Sequence, residues 1–259
     1  MHDLPDPNQL LVGAMVFLRI GGILFALPLF GEQPTPPRAR ILAALALTIG
    51  FYPLLPPGWA PSLAVGPLTI AGYIFSELLV GLVIGFLARV AFDGILMAAS
   101  VVSYQMGFGT GNLFLPDLDR TDGFTAFHRM VVMLIFLSLG LYQLFLVAIA
   151  DSFKLIPGGA AHFSGPLGEI LVQVTAGMLV IAVQLAAPVI VALMFAMAAI
   201  GLVARTVPSL NAFQLSFPIS FSIGLIVYIA TLPFFPGWMR GHFLGVHEQI
   251  FAALRALVH

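Results

Sequence analysis

Residues 67–107, PLTIAGYIFSELLVGLVIGFLARVAFDGILMAASVVSYQMG, hold Glu77, Arg89 and Asp93 as their only charges. An amphipathic surface helix would carry a polar face along its whole length, and this stretch has none. As one helix it would measure about 60 Å at 1.5 Å per residue, twice the roughly 30 Å hydrocarbon core of a bilayer. Either the chain folds back on itself or part of it stands outside the lipid. The favoured expectation is a hairpin, bent near Arg89–Gly94.

The rest of the composition agrees with an apolar surround. Of 259 residues 60% are hydrophobic and only 8% charged, whereas a soluble domain needs about 25% charged residues to hydrate its surface. Ten Lys+Arg and eleven Asp+Glu cannot coat a globule of this size. The surface therefore faces lipid or other apolar helices. A net charge of -1 and the lack of any basic patch exclude a nucleic-acid partner. With no cysteine, disulfides, thiol catalysis and Cys-ligated metal are also excluded. Met1–Gln9 carries Asp3 and Asp6 and no Lys or Arg, so a cleaved signal peptide is not expected.

Outward from the central stretch, apolar runs alternate with breakers. Leu10–Phe30, interrupted by Arg19, ends in a segment containing Pro34, Pro36 and Pro37, and Ile41–Leu55 closes on Pro56-Pro57-Gly58. Beyond residue 107 comes a polar, Gly-rich loop, Phe108–Thr125, and then an uninterrupted span, Met130–Ala150. Asp151–Gly168 reads as a loop around Pro157-Gly158-Gly159. Ile170–Ala204 has Pro188 near its middle, which should kink it or break it into two antiparallel pieces. A last run covers Phe213–Phe235. The tail 236–259 suggests an amphipathic helix whose apolar face is Leu244, Ile250, Phe251, Leu254 and Val258. The expected fold is an all-α membrane protein of about six apolar helical regions, two of them hairpins. It forms a single domain over 1–259, with an N-terminal segment 1–9 and a central loop 108–125. Lys and Arg are spread over most connections, so the positive-inside rule fixes no orientation.

Charges inside apolar runs are the first candidates for function, because an unpaired one at mid-membrane costs about 3 kcal/mol or more. Arg19, Glu77, Arg89 and Asp93 qualify. Arg89 and Asp93, four apart, share a helix face and can neutralise each other. The four either line an aqueous path or relay protons, or else they pair with one another or with partner subunits or sit where the helix leaves the lipid, and the structural set is the better reading. Gly81-x-x-x-Gly85 permits close helix packing. The run Gly107-Phe108-Gly109-Thr110-Gly111 lacks the Lys and the preceding strand of a nucleotide loop. Its alternate glycines allow an irregular backbone, tolerated at membrane depth where it is buried in protein or lines a cavity. With Met106, Leu113 and Phe114 nearby it can form an apolar constriction, and spacing alone allows an ordinary inter-helix loop equally. The six histidines include no i,i+4 pair and no HExxH, and no nucleophile–base pair can be assembled. Neither a cofactor, a metal nor an enzymatic activity is expected.

Several segments, taken in order, resemble one family. They are Arg19-Ile20-Gly21 through Pro28-Leu29-Phe30-Gly31, Pro36-Pro37-Arg38-Ala39-Arg40, Glu77 to Gly85, Gln105-Met106-Gly107 with Pro116 downstream, Ala150-Asp151-Ser152-Phe153 before Pro157-Gly158, and Arg205 to Phe213 before Gly224. Together they resemble the FliR/SctT family, membrane subunits of the bacterial flagellar and injectisome type III export gates. The resemblance implies a non-catalytic, multi-pass subunit in the bacterial inner membrane, within a flagellar basal body or injectisome base. It implies assembly with FliP-like and FliQ-like subunits, and with FlhB-like and FlhA-like ones, around a channel for unfolded protein substrates. The family's central loop plugs that channel. Carried over by position, the gating residues are Met106, Gly107, Phe108, Gly109, Gly111, Phe114 and Pro116, with Phe108 and Phe114 as the bulky elements. Gly109 and Gly111 make this loop richer in glycine than the family pattern. A flagellar system is expected before a virulence system, on family abundance and not on any residue. The rival reading is a small secondary transporter using Arg19, Glu77, Arg89 and Asp93 as a midplane site, and the inverted repeats it would need are not visible.

Overall fold

The computed structural model describes residues 7–27, 36–61, 65–108, 122–162, 165–206 and 212–258. Among these the secondary structure is helical throughout. The α-helices are α1 (Pro7–Ala26), α2 (Pro37–Phe51), α3 (Pro67–Gln105), α4 (Gly123–Ser138), α5 (Tyr142–Leu155), α6 (Gly165–Thr206), α7 (Ala212–Thr231) and α8 (Phe235–Ala256). Short 3-10 turns, Tyr52–Leu54 and Leu232–Phe234, follow α2 and α7. Four stretches are long and apolar enough to cross a membrane: Asn8–Ala26, Pro67–Gln105, Gly165–Thr206 and Gln214–Ala256. The bent pair α4 and α5 would make a fifth. Large apolar side chains face outward, with Leu68, Phe234, Ile49 and Phe195 at least three-quarters exposed. Only an apolar surround makes such a surface stable.

Neither expected hairpin forms. α3 is a continuous helix of 39 residues and α6 one of 42, with Pro188 inside it. A hairpin turn would strip several consecutive residues of helical hydrogen bonds, whereas a proline within a continuing helix forfeits one. Gly94, the glycine at the expected bend, has another use. A Cβ there would lie 3.2 Å from Met178 Cγ and 3.3 Å from its carbonyl oxygen, so Gly94 lets α6 approach α3 closely.

The expected span Met130–Ala150 is interrupted as well. α4 stops at Ser138 and α5 starts at Tyr142. Gly140 sits at φ 66°, its N–H donates to Leu137 O, and Leu141 N–H donates to Phe136 O. This pair of bonds is the Schellman cap, which favours glycine at its left-handed residue. The tail also has a different register. Met239, Phe243, Val246, Ile250, Leu254 and Leu257 of the α8 region are buried, while Leu244 and Val258 are exposed. Arg240, Glu248, Gln249 and Arg255 are exposed, so α8 is amphipathic, but its buried stripe is rotated from the expected apolar face.

The chain divides into two compact units. The first comprises Met1–Phe92, Tyr142–Thr175 and Phe243–His259. Its core includes an aromatic trio, with Phe92 4.8 Å from Phe243 and 6.5 Å from Phe145 between ring centroids. α1 and α3 pack backbone to backbone at glycines. A Cβ at Gly81 would collide with the carbonyl oxygen of Arg19, and one at Gly85 would lie 2.6 Å from Ala26 Cβ. The second unit comprises Asp93–Leu141 and Ala176–His242. Its core is Ala98, Ala99, Val102 and Met106 of the α3 region with Phe124, Ala186, Val189, Leu193 and Tyr228.

Candidate functional site

Two groups of the candidate residues are built into these units. In the first unit, Arg19 of α1 and Glu77 of α3 are fully buried and paired in a fork, Nε to Oε2 at 2.6 Å and Nη2 to Oε1 at 2.9 Å. The remaining guanidinium N–H groups donate to backbone carbonyls at the end of α5. Nη1 reaches Ser152 O at 2.8 Å and Ile156 O at 3.2 Å, and Nη2 also reaches Ile156 O at 3.2 Å. Every N–H that an arginine possesses is thereby used. Glu77 Oε1 also accepts the Gly159 N–H at 2.9 Å.

Aromatic rings close the site. The guanidinium carbon lies 4.8 Å from the Phe153 ring centroid and 5.4 Å from that of Trp59. The Trp59 indole N–H donates to Ile156 O at 3.1 Å, and Trp59 O accepts the Gly158 N–H at 2.8 Å. Gly159 has φ 73°, which lets the chain turn its amide onto the carboxylate. With every guanidinium N–H engaged and both side chains fully buried, the pair presents no open site to a solute, and it braces α1, α3 and the end of α5 together. Sequence reasoning did not find Trp59, Phe153 or Gly159. The signal available was the Pro157-Gly158-Gly159 turn directly after a helix end.

Arg89 and Asp93 are half-buried, one turn apart on α3, and neither is without an interaction. They are not brought to Arg19 and Glu77 as one constellation.

The second group lies where α3 ends, in the second unit. Gly107 adopts φ 94°. Its N–H donates to Tyr104 O and the Phe108 N–H to Ser103 O, another Schellman cap. This glycine is therefore a defined helix stop and not a flexible spot. Met106 is fully buried, and Phe108 is half-buried. Gly109, Gly111, Phe114 and Pro116 fall outside the described residues.

On the far side of that segment, Asp122 caps α4. Its carboxylate accepts the Thr125 N–H at 2.9 Å, the Thr125 hydroxyl at 2.8 Å and the Ser103 hydroxyl at 2.6 Å. Burial pushes the Asp122 carboxyl up, but these bonds and one from the Phe124 amide outweigh it and hold the group below the usual carboxylate range. Ser103, in the last turn of α3, and Asp122 thus join the two ends of the segment 109–121.

Comparison with known proteins accounts for this geometry at the level of a family. The chain is 27% identical to the flagellar biosynthetic protein FliR of Aquifex aeolicus, over 94% of this chain and 93% of that protein. It is 30% identical to the FliR of Caulobacter vibrioides, over 90% of this chain and 92% of that protein. It is also 30% identical to the Yop proteins translocation protein T of Yersinia pestis, over 74% of this chain and 73% of that protein. The family model described as bacterial export proteins, family 1, matches residues 10–246, which takes in both the Arg19–Glu77 brace and the capped end of α3. With the match covering residues 10–246 of 259, the chain belongs to the bacterial export proteins, family 1.

Proposed function

We propose that this chain is a non-catalytic subunit of a type III protein export gate in the bacterial inner membrane. In this reading its helices pack with FliP-like and FliQ-like subunits, and with FlhA-like and FlhB-like ones, around a path for unfolded protein chains. The family match over residues 10–246 carries the reading. Relatives named for flagellar biosynthesis align with 83–94% of the chain, against 74% for the Yersinia translocation protein, and this supports a flagellar system. Outward-facing apolar residues on every long helix support an environment of lipid and neighbouring subunits. The fully satisfied Arg19–Glu77 brace speaks against a midplane solute site of the transporter kind.

Within this role the segment from Met106 to Pro116 is the gate. Ser103 at the end of α3 and Asp122 at the start of α4 are hydrogen-bonded to one another, which supports a loop anchored at its flanks. Deleting Gly107–Gly111 is expected to leave the purified complex assembled and to raise its resting ion conductance in a reconstituted bilayer. Unchanged conductance of the assembled deletion complex would refute the gating role.

A further inference from the structure

Two helix interruptions in the second unit border one cavity of about 300 Å³. Pro188, inside α6, has no N–H to give to the Gln184 carbonyl four residues back. The 3-10 turn Leu232–Phe234 separates α7 from α8. Gln184, Pro188, Leu232 and Phe234 all line the cavity. Interrupted helices are where a membrane protein has backbone groups to offer a ligand. Gln184, Pro188 and Phe234 are also exposed, which puts the mouth of the cavity at the outer surface.

Most of the wall is apolar. Ala98 and Ala99 of α3 line one part of it. Phe235 lies 5.6 Å from the His128 ring and stacks on Trp238 at 5.9 Å and 13°, so another part is a fixed aromatic surface. Two polar groups of the wall lack partners. The Gln184 carbonyl is without its helical donor. His128 is 6% exposed, its Nδ1 pairs with the Tyr228 hydroxyl at 2.9 Å, and its Nε2 makes no hydrogen bond. Leaving such groups unpaired away from water is costly. A few polar atoms set in an apolar wall are the pattern of a small-molecule site.

We propose that this cavity binds one uncharged, hydroxyl-bearing hydrophobe drawn from the membrane. Its chain packs against Ala98, Ala99 and Phe235, and its hydroxyl bonds on the Gln184 and His128 side. The volume is about that of ten water molecules, so a guest of roughly ten heavy atoms fits. No Asp, Glu, Lys or Arg lines the wall, so nothing there neutralises a charged head. A hydroxyl both donates and accepts, and so serves the carbonyl and either tautomer of His128. A saturated tail serves neither.

The test uses the full chain in its own membranes. An octanol carrying a diazirine on its chain is photolysed there, and the labelled residues are read by mass spectrometry. Labelling is expected at Phe235 and Trp238 and should be competed by unlabelled octanol. Ala98→Leu builds into the space and should cut labelling roughly fivefold or more. His128→Phe should lower labelling by the alcohol, relative to a diazirine-bearing octane, by roughly two- to tenfold. A change of shape alone leaves that ratio where it was.

Labelling that octanol does not compete, or that Ala98→Leu leaves unchanged, is partitioning into bulk lipid and overturns the site. Absence of label from the wall means that a neighbouring chain fills the space, and overturns it equally. Octane labelling as strong as octanol labelling makes the guest a plain acyl chain and refutes the hydroxyl assignment. An unchanged ratio in His128→Phe refutes the part given to His128. If Ala98→Leu does not accumulate in the membrane, Ala99→Val takes its place under the same criterion, and the competition arm decides without any variant.

Discussion

The Arg19–Glu77 brace makes a quantitative prediction through a double-mutant cycle. Arg19→Met leaves a buried carboxylate whose described hydrogen-bond donor is the Gly159 N–H, and Glu77→Met leaves a buried guanidinium held by neutral carbonyls and aromatic rings, with no counter-charge among its described contacts. Breaking a buried pair from one side costs about 3–5 kcal/mol, so additive behaviour would put the double variant at roughly twice that. The structure argues for much less. With both charges gone, Ser152 O keeps the Ile156 N–H and Ile156 O keeps the Trp59 indole N–H. The Gly159 N–H alone loses its acceptor, at about 1–3 kcal/mol. The coupling energy is therefore expected to be at least about 3 kcal/mol. Reversible unfolding of the purified full chain by dodecyl sulfate in mixed micelles, followed by far-UV ellipticity, measures all four corners. Additive single effects, with coupling below about 1 kcal/mol, would mean that the two charges are solvated separately and that the brace is not a unit.

Other perturbations test the remaining joints. Gly81→Ala drives a methyl group into the Arg19 carbonyl and should destabilise the first unit by about 1–3 kcal/mol. Gly72→Ala on the same helix meets nothing within 4 Å and should be neutral or slightly stabilising in the same unfolding assay. Gly107→Ala places a Cβ at φ 94° against Phe217. It is expected to cost about 1 kcal/mol and to raise resting conductance less than the 107–111 deletion does. Asp122→Ala should lower stability by about 1 kcal/mol through loss of the α4 cap, and Asp122→Asn by less. Because the folded Asp122 carboxyl titrates below its unfolded value, its contribution is fully present above about pH 4 and disappears as pH falls through the folded value. Thermal melts of wild type and Asp122→Ala at descending pH should therefore converge in acid, and a gap independent of pH would refute the charged cap.

Much of the chain was legible before any coordinates. The helical, membrane-embedded class follows from charge scarcity, since backbone groups away from water must bond among themselves and unbroken apolar runs do so as helices. Arg19 and Glu77 stood out as charges too costly to leave unpaired, and Met106 to Phe108 as the approach to an irregular loop. That Arg19 pairs with Glu77, 58 residues away, was not legible, because helical periodicity reports neighbours at three and four positions and nothing farther. Pairing of Arg89 with Asp93, four residues apart, is the kind of contact that such periodicity does report. The aromatic stripe Phe217, Phe221, Tyr228 was in plain view, but in a chain with 23 phenylalanines a stripe has meaning only once its partner is known.

Composition and breakers alone thus determined that this chain is greasy helix, roughly where its apolar helices lie, and which charges had to find partners. Tertiary packing decided whether the long runs bend, which glycines stop a helix and which admit a neighbour, and how the loop base is held. The physical reason is that transfer out of water is a property of each residue and is written along the chain. Turning or continuing a helix depends on whether distant surfaces arrive to satisfy its backbone and fill its grooves. Gly94 and Gly140 are the same residue type in similar apolar runs, yet one seats Met178 and the other ends α4.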